Sequence, residues 1–221
     1  YRQSELKEYI EMWCHEVKTP VATSQMIIEN NLNPVNESIK EELIKIDNYV
    51  EQVLFYARSE NVEKDYLIKD VKLSELVNSV IKRNKKDLIN KHVKIELENL
   101  EIDVASDKKW LEFILNQIIN NAIKYVDETP IIKLFAKQYK DRVELMIKDN
   151  GIGILENELN RVFDKGFTGT TGRTKQKSTG IGLYLCKKLC YRLNHEIKID
   201  SNSHGTVVTL VFPYSSHITL Q

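Results

Sequence analysis

Over about the first sixty residues, apolar positions recur every three or four steps. Leu6, Ile10, Trp13, Val17 and Val21 form one series, the pattern of a helix with a single apolar face. Asn31-Leu32-Asn33-Pro34-Val35-Asn36 interrupts it. A second series, Ile39, Leu43, Ile46, Val50, Val53 and Ala57, alternates steps of four and three, a heptad seam. Two long helices joined by an Asn/Pro turn predict an αα-hairpin. Such a pair buries a narrow stripe poorly. A homodimer that closes a four-helix bundle would complete the core; a monomeric hairpin packed on the rest of the chain is the alternative.

Arg58 to Asp65 is polar and reads as a linker. It divides the chain into a hairpin at 1–62 and a second domain at 67–221. In the second domain the texture changes. Val71 to Ile89 reads as a helix capped by Ser74, Val93 to Leu97 alternates as a strand, and Asp107 to Tyr125 is a strongly periodic helix. Ile131–Gln138 and Val143–Lys148 predict an antiparallel pair turning at Asp141-Arg142. Leu183–Leu193 reads as a helix, and Glu196–Asp200 with Thr206–Phe212 as a closing hairpin around Gly205. Helices mingled with antiparallel strands place this part in the α+β class.

Composition narrows the function. The 221 residues include 32 basic and 32 acidic ones, for a formal net charge of zero. That balance weighs against general nucleic-acid binding. A hydrophobic fraction of 42% supports a folded core. Cys14, Cys186 and Cys190 have neither metal-ligand nor disulfide spacing; Cys186 and Cys190, four apart on a predicted helix, read as packing residues. No apolar run is long enough to cross a bilayer. The first residues read as helix interior with no capping signal before them, so the chain is expected to continue a longer protein.

The candidate chemistry lies in the glycines. Asp149-Asn150-Gly151-Ile152-Gly153 is followed by Gly166-Phe167-Thr168-Gly169-Thr170-Thr171-Gly172 and then Ser178-Thr179-Gly180-Ile181-Gly182-Leu183. A glycine turn leading into a helix N-terminus is an anion site, because free N–H groups and the helix dipole point at the ligand. Upstream, Gln117 and Asn121 stand four apart on the 107–125 helix and share a face. Both are neutral oxygen donors suited to completing a magnesium shell, which is mostly phosphate and water. Lys124 can reach a phosphate and Tyr125 can lie against a base. Each piece alone has a plainer reading: a hairpin turn, or the wet face of an amphipathic helix.

In this order the pieces resemble the GHKL ATP-binding fold, the Bergerat α/β sandwich of histidine kinases, gyrase-type and Hsp90-type ATPases and anti-sigma serine kinases. The resemblance spans roughly residues 70–213. It implies bound ATP with Mg2+. Asp149 would accept a hydrogen bond from the adenine amino group and Asn121 would bind the metal. Residues of about 154–180, including Phe167 and Thr168, would form a mobile lid. Ser178 and Thr179 would stand near the phosphate-facing amides of Gly180 and Gly182, with Gly151, Gly153 and Leu183 completing the set. Members that hydrolyse ATP with water resemble one another in carrying a glutamate one turn before the magnesium asparagine. Gln117 stands there, and an amide cannot take a proton from water. The phosphoryl acceptor is therefore expected elsewhere.

The first helix supplies one. His15-Glu16-Val17-Lys18-Thr19-Pro20 combines a nucleophile with an adjacent acid, a hydroxyl one turn on, and a proline that loosens the helix. A lone helical histidine is ordinarily a surface residue; this one resembles the phospho-accepting box, His-Glu-x-x-Thr-Pro, of sensor histidine kinases. Hairpin plus GHKL domain is that family's catalytic core. The resemblance implies a protein-histidine kinase of a two-component system, a homodimer. It would autophosphorylate His15 with help from Glu16 and pass the group to an aspartate of a response regulator. Thr19 would position water for the reverse dephosphorylation. The alternative is a GHKL-type ATPase or an anti-sigma-like serine kinase.

Trp13-Cys14-His15, Lys18-Thr19-Pro20, Lys165-Gly166-Phe167-Thr168-Gly169 and Asn121-Ala122-Ile123-Lys124-Tyr125 resemble, more finely, the BceS-type intramembrane-sensing kinases. That resemblance implies a peptide-antibiotic ABC transporter as partner. It also implies that these residues are the cytoplasmic portion of a cell-membrane protein. Glu16 stands where many such kinases have glutamine, and Asn120 and Gln117 are not a strict asparagine pair; both are departures. His92, His195, His204 and His217 have no comparable context and read as structural or surface residues.

Overall fold

The computed structural model describes residues 2–30, 33–60, 67–126, 128–170 and 179–214. The chain divides into two compact units, Tyr1–Asp65 and Tyr66–Gln221. Among the described residues no helix is long and apolar enough to cross a membrane.

The first unit is the expected helical hairpin, α1 (Arg2–Glu29) and α2 (Pro34–Glu60). Asn33 starts α2: its Oδ1 accepts from the Asn36 N–H at 2.8 Å, with Pro34 in the first helical position, where its missing N–H costs nothing. The helices meet along Cys14, Val50 and Leu54, flanked by Ile10 and Val17, and Arg58 Nε pairs with Glu11 Oε1 at 3.1 Å across them.

This seam differs from the expected one. Cys14, not Trp13, is buried, and Trp13 is 43% exposed. On α2, Val50, Leu54 and Ala57 are buried, whereas Ile39, Ile46 and Val53 are each at least 40% exposed. Each helix carries apolar residues across two adjacent faces, and only one of them is used within the hairpin.

The second unit is an α/β sandwich. Its five-stranded sheet has the order β2-β4-β5-β7-β6, from β2 (Lys94–Glu98), β4 (Ile131–Gln138), β5 (Arg142–Asp149), β6 (Glu196–Asn202) and β7 (Gly205–Pro213). The β2–β4 pair is parallel; the other three are antiparallel. Strand alternation buries Ile132, Leu134, Ala136, Val143, Leu145, Ile147, Val208, Leu210 and Phe212 on one face. Helix α5 (Lys108–Lys124) packs there and is itself flanked by α3 (Leu73–Arg83) and α7 (Gly182–Arg192). Asp107 caps α5, its Oδ1 accepting from Trp110 N–H at 2.9 Å and its Oδ2 from Leu67 N–H at 2.8 Å. A short helix, α6 (Glu156–Leu159), precedes the glycine–threonine tract.

The single helix expected from Val71 to Ile89 is instead a strand and two helices. Val71 lies in β1 (Lys69–Lys72), which pairs with β3 (Asp103–Ser106). Leu73 starts α3 without a side-chain cap, because its N–H donates to the carbonyl of Ile102 at 3.0 Å; Ser74 is not the cap. The helix breaks at Asn84 before α4 (Lys85–Asn90). The Asn84 amide donates to the Val80 carbonyl and to Asn116 Oδ1, both at 2.8 Å. A side chain that bonds to its own helix's backbone competes with the helix ladder.

Among the described histidines of the second unit, His195 is the one that the fold draws inward. Its Nε2 lies 2.8 Å from Ser106 Oγ and its ring meets Phe212 edge-on, with centroids 4.8 Å apart. Burial lowers its pKa to about 4. A pKa below the unfolded value means that the unfolded chain binds the extra proton first, so stability is complete above about pH 6.5 and falls as pH drops toward 4. We expect the urea midpoint to fall between pH 7 and 5 by an equivalent of about 1–2 kcal/mol. His195→Gln should flatten that slope, and an unchanged slope would contradict the assignment.

Candidate nucleotide site and acceptor helix

The last two turns of α5 have an apolar and a polar side. Ile118, Ile119, Ala122 and Ile123 are buried in the sandwich. That packing sets the direction of Gln117, which is buried, and of Asn121 and Lys124, which are half-buried. Lys124 Nζ lies 5.2 Å from the centre of the Tyr125 ring. Burial, and then the charge of Lys91, lowers the Lys124 pKa. Lys91 donates to the Ile123 carbonyl at 2.7 Å, placing a second ammonium at this helix end.

The Asp149 turn is tied directly to α5: Ile152 N–H donates to the Tyr125 carbonyl at 3.2 Å. Asp149 is half-buried at the end of β5. Its Oδ1 accepts from Gly151 N–H at 2.9 Å and from Thr206 N–H at 3.2 Å, while its Oδ2 has no partner among the described residues. Burial raises its pKa, and the two amide bonds oppose that shift. The carboxylate is thus anchored through one oxygen, with the other left to accept from a ligand. Asn150 braces the turn from behind: its amide donates to the Thr129 carbonyl at 2.8 Å and its Oδ1 accepts from Ile131 N–H at 2.7 Å.

Thr206, Gly205 and Ser201 of the β6–β7 hairpin are part of this construction, although the sequence marks them only as strand and turn. Gly205, at φ +129°, brings its backbone against the Asp149 carbonyl, where any side chain would collide. The only sequence signal for this was a glycine in a hairpin turn, which says nothing of its neighbour.

The second cradle forms where α7 begins. Gly180 sits at φ +64°, and a Cβ there would lie 2.6 Å from the Phe167 carbonyl oxygen, so only glycine fits. Its carbonyl accepts from Gly166 N–H at 3.0 Å, drawing Phe167 to the start of α7. Gly182 approaches Gln117 so closely that a Cβ would lie 2.9 Å from Gln117 Oε1. The N-terminus of α7 therefore faces the polar side of α5. Thr179 Oγ1 accepts from Ile181 N–H at 3.4 Å, and Leu183 is half-buried in the first turn. Gly153 lies in a left-handed turn against Asn202. Thr168 is half-buried beside Phe167. Ser178 lies outside the described residues, as do 171–177 of the expected lid.

The architecture brings Gln117, Asn121, Tyr125, Asp149, Gly151, Gly180 and Gly182 around one helix end. Residues 106–216 match the family model described as the histidine kinase-, DNA gyrase B- and HSP90-like ATPases. The chain belongs to that family. Its ATP-binding domain is the α/β sandwich described above.

Named relatives point the same way. The chain is 38% identical to sensor histidine kinase YxdK of Bacillus subtilis, covering 92% of this chain and 64% of that one. It is 36% identical to sensor protein BceS of the same organism, over 94% and 62%. It is 31% identical to sensor histidine kinase GraS of Staphylococcus epidermidis, over 96% and 62%. The chain thus spans less than two thirds of the length of these relatives. The resemblance to sensor histidine kinases of the BceS type is borne out. Histidine kinase AdeS of Acinetobacter baumannii shares the fold at 22% identity, with a TM-score of 0.65 over 91% of this chain and 98% of that one. The catalytic domain of histidine kinase ThkA does so at 22% identity and a TM-score of 0.59, over 66% and 97%.

Candidate oxygen donors for a metal ion are few at this site among the described residues. Asn121 and Gln117 offer neutral amide oxygens, and no cluster of three or more His, Cys, Asp or Glu side chains forms a cage among the described residues. Those donors fit a magnesium ion held mainly by phosphates and water.

His15, Glu16 and Thr19 lie in the first unit, exposed on α1. His15 adjoins the buried Cys14, whose Sγ lies 3.7 Å from the Val50 carbonyl, so the helix rotation that seats Cys14 turns His15 outward. Thr19 Oγ1 donates to the His15 carbonyl at 3.2 Å, and Thr23 Oγ1 to that of Thr19 at 3.0 Å. Pro20 within α1 has no N–H to offer the carbonyl of Glu16.

We expect Asp149→Asn to keep the fold, since its amide oxygen can still accept from Gly151 and Thr206. The substitution exchanges the second acceptor for a donor. Calorimetry should therefore show ADP affinity reduced about tenfold or more, with thermal unfolding little changed. Unchanged affinity would remove Asp149 from the site.

Proposed function

We propose that this chain is the kinase core of a two-component sensor histidine kinase, which uses ATP to phosphorylate its own His15 and passes the group to a response-regulator aspartate. The observation that carries this reading is Gln117. It is buried against the N-terminus of α7, in the position where a hydrolytic site needs a base, and an amide cannot serve as one. A nucleotide site without a water-activating base needs another acceptor, and the exposed His15 of the same chain is chemically suited to the role.

The residues take the following parts. Asp149 Oδ2 accepts from the adenine amino group. Tyr125 lies by the base and Lys124 reaches a phosphate. The amides around Gly180 and Gly182, with Thr179, Ser178, Thr168, Phe167 and Leu183, enclose the phosphate chain, while Gly151 and Gly153 shape the turn below the base. Asn121 would hold Mg2+ with Gln117 supporting it, and the ion would neutralise charge on the phosphates. A neutral imidazole nitrogen of His15 attacks the γ-phosphorus, the bond to the bridging oxygen breaks, and ADP leaves with that electron pair. Glu16 takes the proton from the other ring nitrogen. Thr19 orients water for dephosphorylation of the regulator.

The unused apolar faces of the hairpin support a homodimer. Tyr9 and Met12 on α1, with Ile39, Ile46, Tyr49 and Val53 on α2, are at least 40% exposed, and a second hairpin would cover them in a four-helix bundle. The likeness to BceS supports a membrane-anchored whole protein with a peptide-antibiotic ABC transporter as partner.

The test is to incubate His15→Gln with radiolabelled ATP and magnesium. The variant should bind nucleotide like the wild type and take up no acid-labile label. Retained label would move the acceptor off His15.

A further inference from the structure

The β6–β7 hairpin ends against the Asp149 turn, and one hydroxyl sits at the junction. Ser201 Oγ accepts from Ile154 N–H at 2.9 Å, lies 3.0 Å from the carbonyl of Gly205 and lies 2.9 Å from Thr206 Oγ1. A serine hydroxyl has one proton and two acceptor positions. The Gly205 carbonyl can only accept, so the Ser201 proton goes to it. Ile154 N–H occupies one lone pair. The other is left for Thr206, whose hydroxyl must then be the donor. Reversing the Ser201–Thr206 bond would forfeit the bond to Gly205, so one polarity alone satisfies all three contacts.

The consequence falls on Thr206. Its backbone N–H is already given to Asp149 Oδ1 at 3.2 Å, and its hydroxyl proton is committed to Ser201. Beyond those bonds Thr206 offers lone pairs only. Ionised Asp149 likewise offers only lone pairs. At Asp149 and Thr206 the site therefore accepts and does not donate. A purine with a 6-amino group brings protons to it, whereas a 6-oxo purine would set an acceptor against acceptors. Sites built to pair one partner reject the analogue that leaves their polar groups unpaired.

We propose that Ser201 is a positioning residue that holds Thr206 in this polarity and thereby enforces the preference for a 6-amino over a 6-oxo purine nucleotide. The proposal rests on the reading that Asp149 faces the base. Without the Ser201 hydroxyl, Thr206 can rotate and donate, and the 6-oxo purine becomes acceptable.

The experiment compares the affinities of Mg-ADP and Mg-IDP for the 221-residue chain by calorimetry. Ser201→Ala should lower the ADP:IDP affinity ratio about three- to tenfold, the worth of one hydrogen bond. Ser201→Thr, which keeps the hydroxyl, should restore the ratio. In a Thr206→Val background, where no hydroxyl can rotate, adding Ser201→Ala should leave the ratio unmoved. An unchanged ratio in Ser201→Ala, with both affinities falling together, would reduce Ser201 to a structural brace and overturn the proposal. So would an equal drop in the Thr206→Val background. If the wild-type chain bound neither nucleotide, the reading of the site itself would fall, and this inference with it.

Discussion

Every part of the nucleotide site depends on one constraint, the rotation of α5 about its own axis. Ile118, Ile119, Ala122 and Ile123 are held in the sandwich core, and close packing leaves a buried helix little freedom to turn. Gln117, Asn121 and Lys124 are thereby set on the opposite side. The other pieces attach to that helix: the Asp149 turn through the Tyr125 carbonyl, and the start of α7 by its approach to Gln117. A cavity on the core side of α5 would be expected to disturb the site although no ligand-facing residue had changed.

The same geometry separates binding from chemistry. The site has amides and backbone N–H groups suited to phosphates, a carboxylate suited to a base, and Gln117 where proton abstraction from water would be needed. The imidazole proposed as acceptor, that of His15, belongs to the other unit, on a helix whose rotation is set by Cys14 facing Val50 and Leu54. Pro20 follows His15 by five residues. A helix missing a backbone bond there is locally easier to bend, which suits the proposed role of His15 in meeting first an ATP-loaded domain and then a regulator.

Much of this was legible in the sequence because the signals were local. Glycines that precede a helix, and polar residues four apart on one, speak for themselves, and α5, β4, β5, β6 and β7 fall close to where alternation and periodicity put them. The errors arose where a distant partner decided. Val71 fits the helical period of the residues after it, and its pairing with β3 cannot be seen in a short window. Ser74 looked like a cap, but Leu73 finds the Ile102 carbonyl. The heptad on α2 was read as the seam of the hairpin, whereas Leu54 is inside and Ile46 and Val53 are not; a helix with two apolar faces does not declare which partner covers which. Ser201 and Thr206 were invisible as site residues for the same reason. Their role exists only because Gly205 lets the hairpin close on Asp149.

Transfer of a phosphoryl group from this ATP-binding domain to protein, and not to water, is the core of the proposed function. It is tested most directly by incubating the chain with γ-labelled ATP and magnesium and measuring protein-bound label and free phosphate together. The account predicts label that is lost in acid and kept in alkali, as a phosphoramidate is, appearing ahead of free phosphate. Steady phosphate release with no phosphoprotein would contradict it.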